Sequence, residues 1–214
     1  LALFEPSHMQ FEADRVEDPG KEPSIAQMTA AAIERLKGNP KGYVLLVEGG
    51  RIDHAHHAGN AYRALSDFAA MDEAVATALE LTDPKDKMVL VAADHSHVFT
   101  MAGYPVRGNP ILGTVNAGED GAPGTKDGKA YTTLGYANGP GAVTTAERPD
   151  PADMDTTGKD YLQQSLVPTS AETHSGEDVA LKASGPDAYL VSGTIEQNAI
   201  YALMAHALGL PLEK

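Results

Sequence analysis

The chain has 214 residues, 42% hydrophobic and 21% charged, which are ordinary globular values that allow a sizeable core within one domain. With 30 acidic against 16 basic side chains its formal charge is -14, which argues against nucleic acid or an anionic membrane surface as partner. Cysteine is absent, excluding disulfides and thiolate metal sites, and no run approaches the roughly 20 apolar residues of a membrane span.

The opening Leu1-Ala-Leu-Phe4 lacks an initiator Met and reads as the continuation of something upstream. Ser24-Ile-Ala-Gln27 has the form of a capping box, predicting a helix that carries Ile25, Met28, Ala32 and Leu36 on one face and stops at Gly38 and Pro40. Tyr43 to Val47 is apolar throughout, as a strand buried on both faces of a parallel sheet would be. From Asn60 to Leu81 the spacing of Leu65, Phe68, Met71, Val75 and Leu79 predicts a second helix, ended by Asp83-Pro84. Met88 to Ala92 is a second buried-strand pattern. Helix–strand–helix–strand is an α/β signature.

Residues 101 to 172 are rich in Gly, Pro, Asp and Thr, with a short strand pattern at Lys129 to Tyr136, and read as an irregular insertion. Val179 to Lys182 returns as a strand. Thr194-Ile-Glu-Gln197 predicts a closing helix that carries Ile195, Ala199, Leu203 and Leu208 and ends at Gly209. The expected organisation is an α/β part over 1–100, the insertion over 101–172, and a C-terminal strand and helix over 173–214.

Two segments carry the chemistry. Glu48-Gly-Gly-Arg-Ile-Asp53-His-Ala-His-His57 and Asp94-His95-Ser-His97 each follow a predicted strand, where open α/β sheets bind ligands. Carboxylate oxygen and imidazole nitrogen suit a catalytic zinc ion. Asp53 and His57, four apart, share one face of a helical turn and are able to grip one ion. Glu48 is an isolated carboxylate suited to a harder ion such as magnesium. Asp94 and His95 are candidates for a second zinc, and two such ions would clamp both oxygens of a phosphoryl transfer. His97 suits a role orienting a ligating carboxylate. His174, in Glu172-Thr-His-Ser-Gly176, completes the first zinc, while His54 and His56 are left to solvent.

The segments Val-Glu-Gly-Gly-Arg-Ile-Asp-His-Ala-His-His (47–57), Ala-Asp-His-Ser-His-Val-Phe (93–99), Tyr-Ala-Asn-Gly-Pro-Gly (136–141) and Glu-Thr-His-Ser-Gly-Glu-Asp-Val (172–179), in this order, resemble alkaline phosphatase over nearly the whole chain. The resemblance implies a layered α/β fold with a mostly parallel central sheet, of which this chain is only the C-terminal part, plus a crown-like insertion near a dimer interface. It implies two zinc ions and one magnesium: Glu48 matches the magnesium ligand, Asp53, His57 and His174 one zinc, and Asp94 and His95 the other. It also implies a calcium site at Phe4, Glu5 and Glu22, with a length change before Glu22.

The family's nucleophilic serine, phosphate-gripping arginine and a further aspartate ligand come from motifs that this sequence does not contain. The expected activity is therefore that of the parent enzyme, a zinc- and magnesium-dependent hydrolysis of phosphate monoesters through a phosphoserine intermediate. This chain would supply metal ligands and be inactive alone. The resemblance further implies a periplasmic or secreted homodimer completed by an N-terminal part of the same protein. A related binuclear-metal phosphodiesterase or mutase, or a non-catalytic metal-binding fragment, are the competing readings.

Overall fold

Residues 1–116 and 125–211 are described by a computed structural model; positions 117–124 of the expected insertion and 212–214 of the expected closing segment lie outside the described residues. The helices are α1 (Glu12–Arg15), α2 (Ile25–Leu36), α3 (Arg51–His57), α4 (Ala61–Leu81) and α5 (Ala199–Ala207). The strands that organise the two halves of the fold are β1 (Val89–Val91), β2 (Phe99–Met101), β3 (Leu134–Gly139), β4 (Ser165–Pro168) and β5 (Lys182–Ser184).

The chain divides into two units. The first holds Leu1–Ser24, Glu48–Ala70 and His97–Gly176; the second holds Ile25–Val47, Met71–Ser96 and Glu177–Lys214.

The first unit is organised by a three-stranded sheet. β3 pairs antiparallel with β2, setting Phe99 opposite Tyr136, and parallel with β4, setting Tyr136 opposite Ser165. Leu134 and Tyr136 point to the covered face and are buried. Small residues on the helices, Ala55, Ala61 and Ala64, are buried in the same unit. Between α3 and α4 the chain reverses at Gly59, whose φ of +68° is a left-handed conformation that a side chain resists. Asn60 then caps α4, its Oδ1 accepting the Arg63 N–H at 2.9 Å. The side chain of buried Gln163 accepts the Ala61 N–H at 2.7 Å. Gly141 is required where it packs on this segment, because a Cβ there would stand 1.9 Å from the Gln163 carbonyl oxygen.

In the second unit β1 pairs antiparallel with β5, Leu90 opposite Ala183. α2 begins where its capping-box pattern places it. Its most buried face is Ala26, Thr29 and Ile33, one position on from the half-buried Ile25–Met28–Ala32–Leu36 stripe. The residues of α4 fall in both units. Its most buried positions are Ala61, Ala64, Ala70 and Ala74, whereas Phe68 of the apolar stripe is 60% exposed.

Four expectations need correction. Tyr43 to Val47 forms no strand; Val44 and Leu46 are exposed, and a strand exists only where a neighbour takes up its backbone hydrogen bonds. The described sheets have two or three strands each, and β3–β4 runs parallel while β2–β3 and β1–β5 run antiparallel, so a mostly parallel central sheet is not seen in the described residues. The Thr194 capping box does not open a helix: α5 starts at Ala199 after a turn, and the strand expected at Val179 to Lys182 lies at Lys182–Ser184.

Candidate metal centre

The α3 sequence places Asp53 and His57 one turn apart, so both project from the same face. In the first unit three imidazoles converge on one oxygen of Asp53. Its Oδ1 lies 3.3 Å from His57 Nε2, 3.2 Å from His174 Nε2 and 3.1 Å from His97 Nε2. The Nε2 atoms of His57 and His174 are 3.0 Å apart. Donor atoms on a zinc tetrahedron of ~2.0–2.1 Å radius stand about 3.3 Å from one another. Asp53, His57 and His174 therefore have the spacing of atoms that share one ion.

The other edge of each ring is held by the protein. His57 Nδ1 lies 2.6 Å from the Glu172 carbonyl oxygen. A carbonyl only accepts, so Nδ1 carries the proton and Nε2 keeps the lone pair a metal needs. His97 Nδ1 lies 2.7 Å from Glu172 Oε2, so this ring bridges two carboxylates, one of them Asp53.

Asn138, in the Tyr-Ala-Asn-Gly-Pro-Gly segment, fixes the loop that delivers His174. Its Oδ1 accepts the Thr173 N–H at 3.0 Å and its Nδ2 donates to Thr173 Oγ1 at 2.9 Å. Tyr136 of the same segment places its hydroxyl 2.9 Å from His56 Nδ1. His56, expected to face solvent, instead stacks on His97 with ring centroids 4.6 Å apart and packs on Phe99. Desolvation, reinforced by His97, lowers the His56 pKa to about 4. Burial pushes the Tyr136 phenol up.

Asp94 and His95 belong to the second unit, just after β1, with His95 Nε2 3.3 Å from Asp94 Oδ2 and the Asp94 side chain largely exposed. Gln197 donates to the Asp94 carbonyl in the same unit. Glu48 is exposed in the first unit and joins no cluster of three ligand groups among the described residues.

Glu5 and Glu22 do meet, and a third carboxylate, Asp18, joins them; one oxygen from each lies within 4.8 Å of the others. Glu22 is buried, and its Oε1 and the Asp18 Oδ2 have no hydrogen-bond partner among the described residues. Buried carboxylate oxygens facing one another suit a hard cation with oxygen ligands. Phe4, next to Glu5, has only its backbone carbonyl to offer a cation, since a phenyl ring carries no oxygen. Asp18 stands in the turn Asp18-Pro-Gly20, and its acidic type beside Glu22 was the available signal. Glu172 was visible within the His174 motif, but nothing in its spacing tied it to His57 or His97.

A carboxylate ringed by imidazoles, in the same unit as an oxygen-only carboxylate cluster, defines a candidate metal-binding protein of α/β character. The alkaline phosphatase family model matches residues 1–210. The chain is 47% identical over 208 residues to the tissue-nonspecific alkaline phosphatase isozyme of Gallus gallus, covering 97% of this chain and 39% of that protein. The isozymes of Rattus norvegicus and Homo sapiens are 47% and 46% identical over the same 97% of this chain, which spans 38% of each. The chain belongs to the alkaline phosphatase family, and it spans about two fifths of the length of these relatives. No described helix is long and apolar enough to cross a membrane.

Proposed function

We propose that the protein carrying this chain hydrolyses phosphate monoesters at a centre in which Asp53, His57 and His174 hold one zinc ion. The observation that carries this reading is the 3.0–3.3 Å spacing of Asp53 Oδ1, His57 Nε2 and His174 Nε2. Family membership supports the reaction class over a phosphodiesterase or mutase.

An ion bound there supplies positive charge to the phosphoryl oxygens as a Lewis acid. The chain's own residues prepare for it. The Glu172 carbonyl fixes the His57 tautomer, His97 aims the Asp53 carboxylate, and Asn138 sets the backbone beside His174. Asp94 and His95 are proposed to hold a second zinc and Glu48 a magnesium ion, readings supported by their motifs. Glu5, Asp18 and Glu22 are proposed to hold calcium, supported by two buried carboxylate oxygens that lack hydrogen bonds. The nucleophile and phosphate-gripping arginine are proposed to come from a part of the protein beyond this sequence, so that 1–214 alone does not turn over. A secreted or periplasmic homodimer is a reading supported by family membership alone.

The test is turnover of a chromogenic phosphomonoester by the complete enzyme and its Asp53→Ala variant. Loss of an anchoring ligand is expected to cost more than the 10–100-fold typical of outer contacts, so activity should fall by more than about 100-fold. A variant retaining full activity and full zinc content would refute the assignment.

A further inference from the structure

We propose that Glu172 is the positioning residue of this centre, an inference that rests on the metal-holding reading above. Glu172 is 1% exposed, so it cannot touch a substrate. A carboxylate is costly to bury, and an apolar side chain would fill the same space without that cost. Its hydrogen bonds lead to the segments that carry the metal ligands.

The backbone of Glu172 makes a reciprocal pair with His57: its N–H donates to the His57 carbonyl at 2.9 Å, and its carbonyl accepts from His57 Nδ1 at 2.6 Å. The carboxylate serves the opposite side. Oε2 accepts from His97 Nδ1 at 2.7 Å, and Oε1 accepts the Val98 N–H at 2.8 Å, fixing the backbone next to His97. His97 in turn presents Nε2 to Asp53 Oδ1 at 3.1 Å. Two residues further on the chain delivers His174 itself, through Thr173, which Asn138 clamps. One residue thus ties the end of α3, the approach to β2 and the His174 loop into a single frame. Its main chain sets the tautomer of one proposed ligand, and its side chain aims the ring that holds another. Partners of this kind orient ligating groups and raise metal affinity without touching the ion.

The two routes separate experimentally, because a substitution removes the carboxylate and leaves the carbonyl. The complete enzyme is compared with its Glu172→Gln and Glu172→Ala variants. Zinc affinity is measured by competition with a chelator, and the histidine ring tautomers by nitrogen NMR. Glu172→Ala is expected to weaken zinc binding about 10–100-fold. Glu172→Gln keeps the acceptor for Val98 but turns a donor toward His97, so a smaller loss is expected. If the alanine variant does not fold, the isosteric glutamine variant decides. In the folded variants His57 should keep its Nδ1 proton, since its partner is the main chain; a general loosening would lose that signature as well. Zinc affinity within twofold of the unaltered enzyme in the folded variants would overturn the role of Glu172. An Asp53→Ala variant that keeps the zinc affinity of the unaltered enzyme would overturn the underlying metal reading instead.

Discussion

The Asp53 centre and the Glu5–Asp18–Glu22 cluster lie in the same unit and gather polar groups with opposite logic. Around Asp53 one carboxylate meets three imidazoles, and the far edge of two of those rings is anchored by Glu172. Imidazole is neutral or cationic, so such a cluster holds together without an ion and is directional. The second cluster is all carboxylate. Arg15 pairs with Glu12 and donates to the Glu22 backbone carbonyl, and the Gln10 N–H donates to Glu22 Oε2. Like charges this close disfavour one another, and a bound cation would relieve that repulsion. The difference predicts separate metal preferences, nitrogen ligands for zinc and oxygen ligands for calcium. It also predicts that only the second cluster depends on its ion for local stability.

The largest effect that would break this comparison is a crossed loss of selectivity. His174→Ala should cost the complete enzyme more than about 100-fold in zinc affinity and leave calcium binding unchanged. Asp18→Ala should do the reverse. Competition titrations with each ion alone would check it, and a variant that weakens both equally would show the two clusters to be one coupled site. Next in size is the stabilisation by calcium itself. An ion at 100 times its Kd stabilises a folded protein by about 2.7 kcal/mol through mass action. Calcium should therefore raise the melting temperature, and a calcium-selective chelator should lower it. Asp18→Asn should abolish this response while raising the melting temperature of the calcium-free protein, because one repelling charge is gone. An Asp18→Asn protein that melts lower without calcium would show that the cluster is held by contacts within the chain.

The legible parts of the sequence were those in which one local segment carries the whole signal. Ser24 to Leu36 and Asn60 to Leu81 read as helices because caps and apolar spacing are short-range. Asp53 and His57 read as a pair because four residues make one turn. Residues joined only by the fold were not legible. Glu172 meets His57 across 115 positions and His97 across 75, and no spacing rule spans such distances. His56 has the polarity of a surface residue, which predicts exposure, yet Tyr136 and His97 pack against it. Tyr43 to Val47 failed in the other direction. An apolar run states that a strand would be buried, but whether it becomes one depends on a pairing neighbour that the run does not encode.

The smallest predicted effect concerns a third way of housing acid in this unit. Among the described residues Asp67 joins neither the imidazole centre nor the carboxylate cluster; it accepts the Glu12 N–H at 3.1 Å. Burial raises its pKa to about 6; the Glu12 N–H and Arg51 oppose the rise, and the Glu12 and Asp14 charges add to it. The folded protein thus holds this proton more tightly than the unfolded chain, whose carboxyl titrates near 3.9. The sign follows from linkage: the contribution of Asp67 to stability is fully present below about pH 4 and is lost as pH rises through 6. The group is partly exposed, so solvent screening reduces the full linkage value to about 1–2 kcal/mol. Asp67→Asn keeps an oxygen for the Glu12 N–H and removes the charge. The variant should be more stable than the unaltered protein by that amount at pH 7, with the gap closing between pH 6 and pH 4. Denaturant melts at a series of pH values would check it. A gap that is constant with pH would assign the difference to packing, and a variant less stable at pH 7 would show that attraction to Arg51 outweighs the cost of burial.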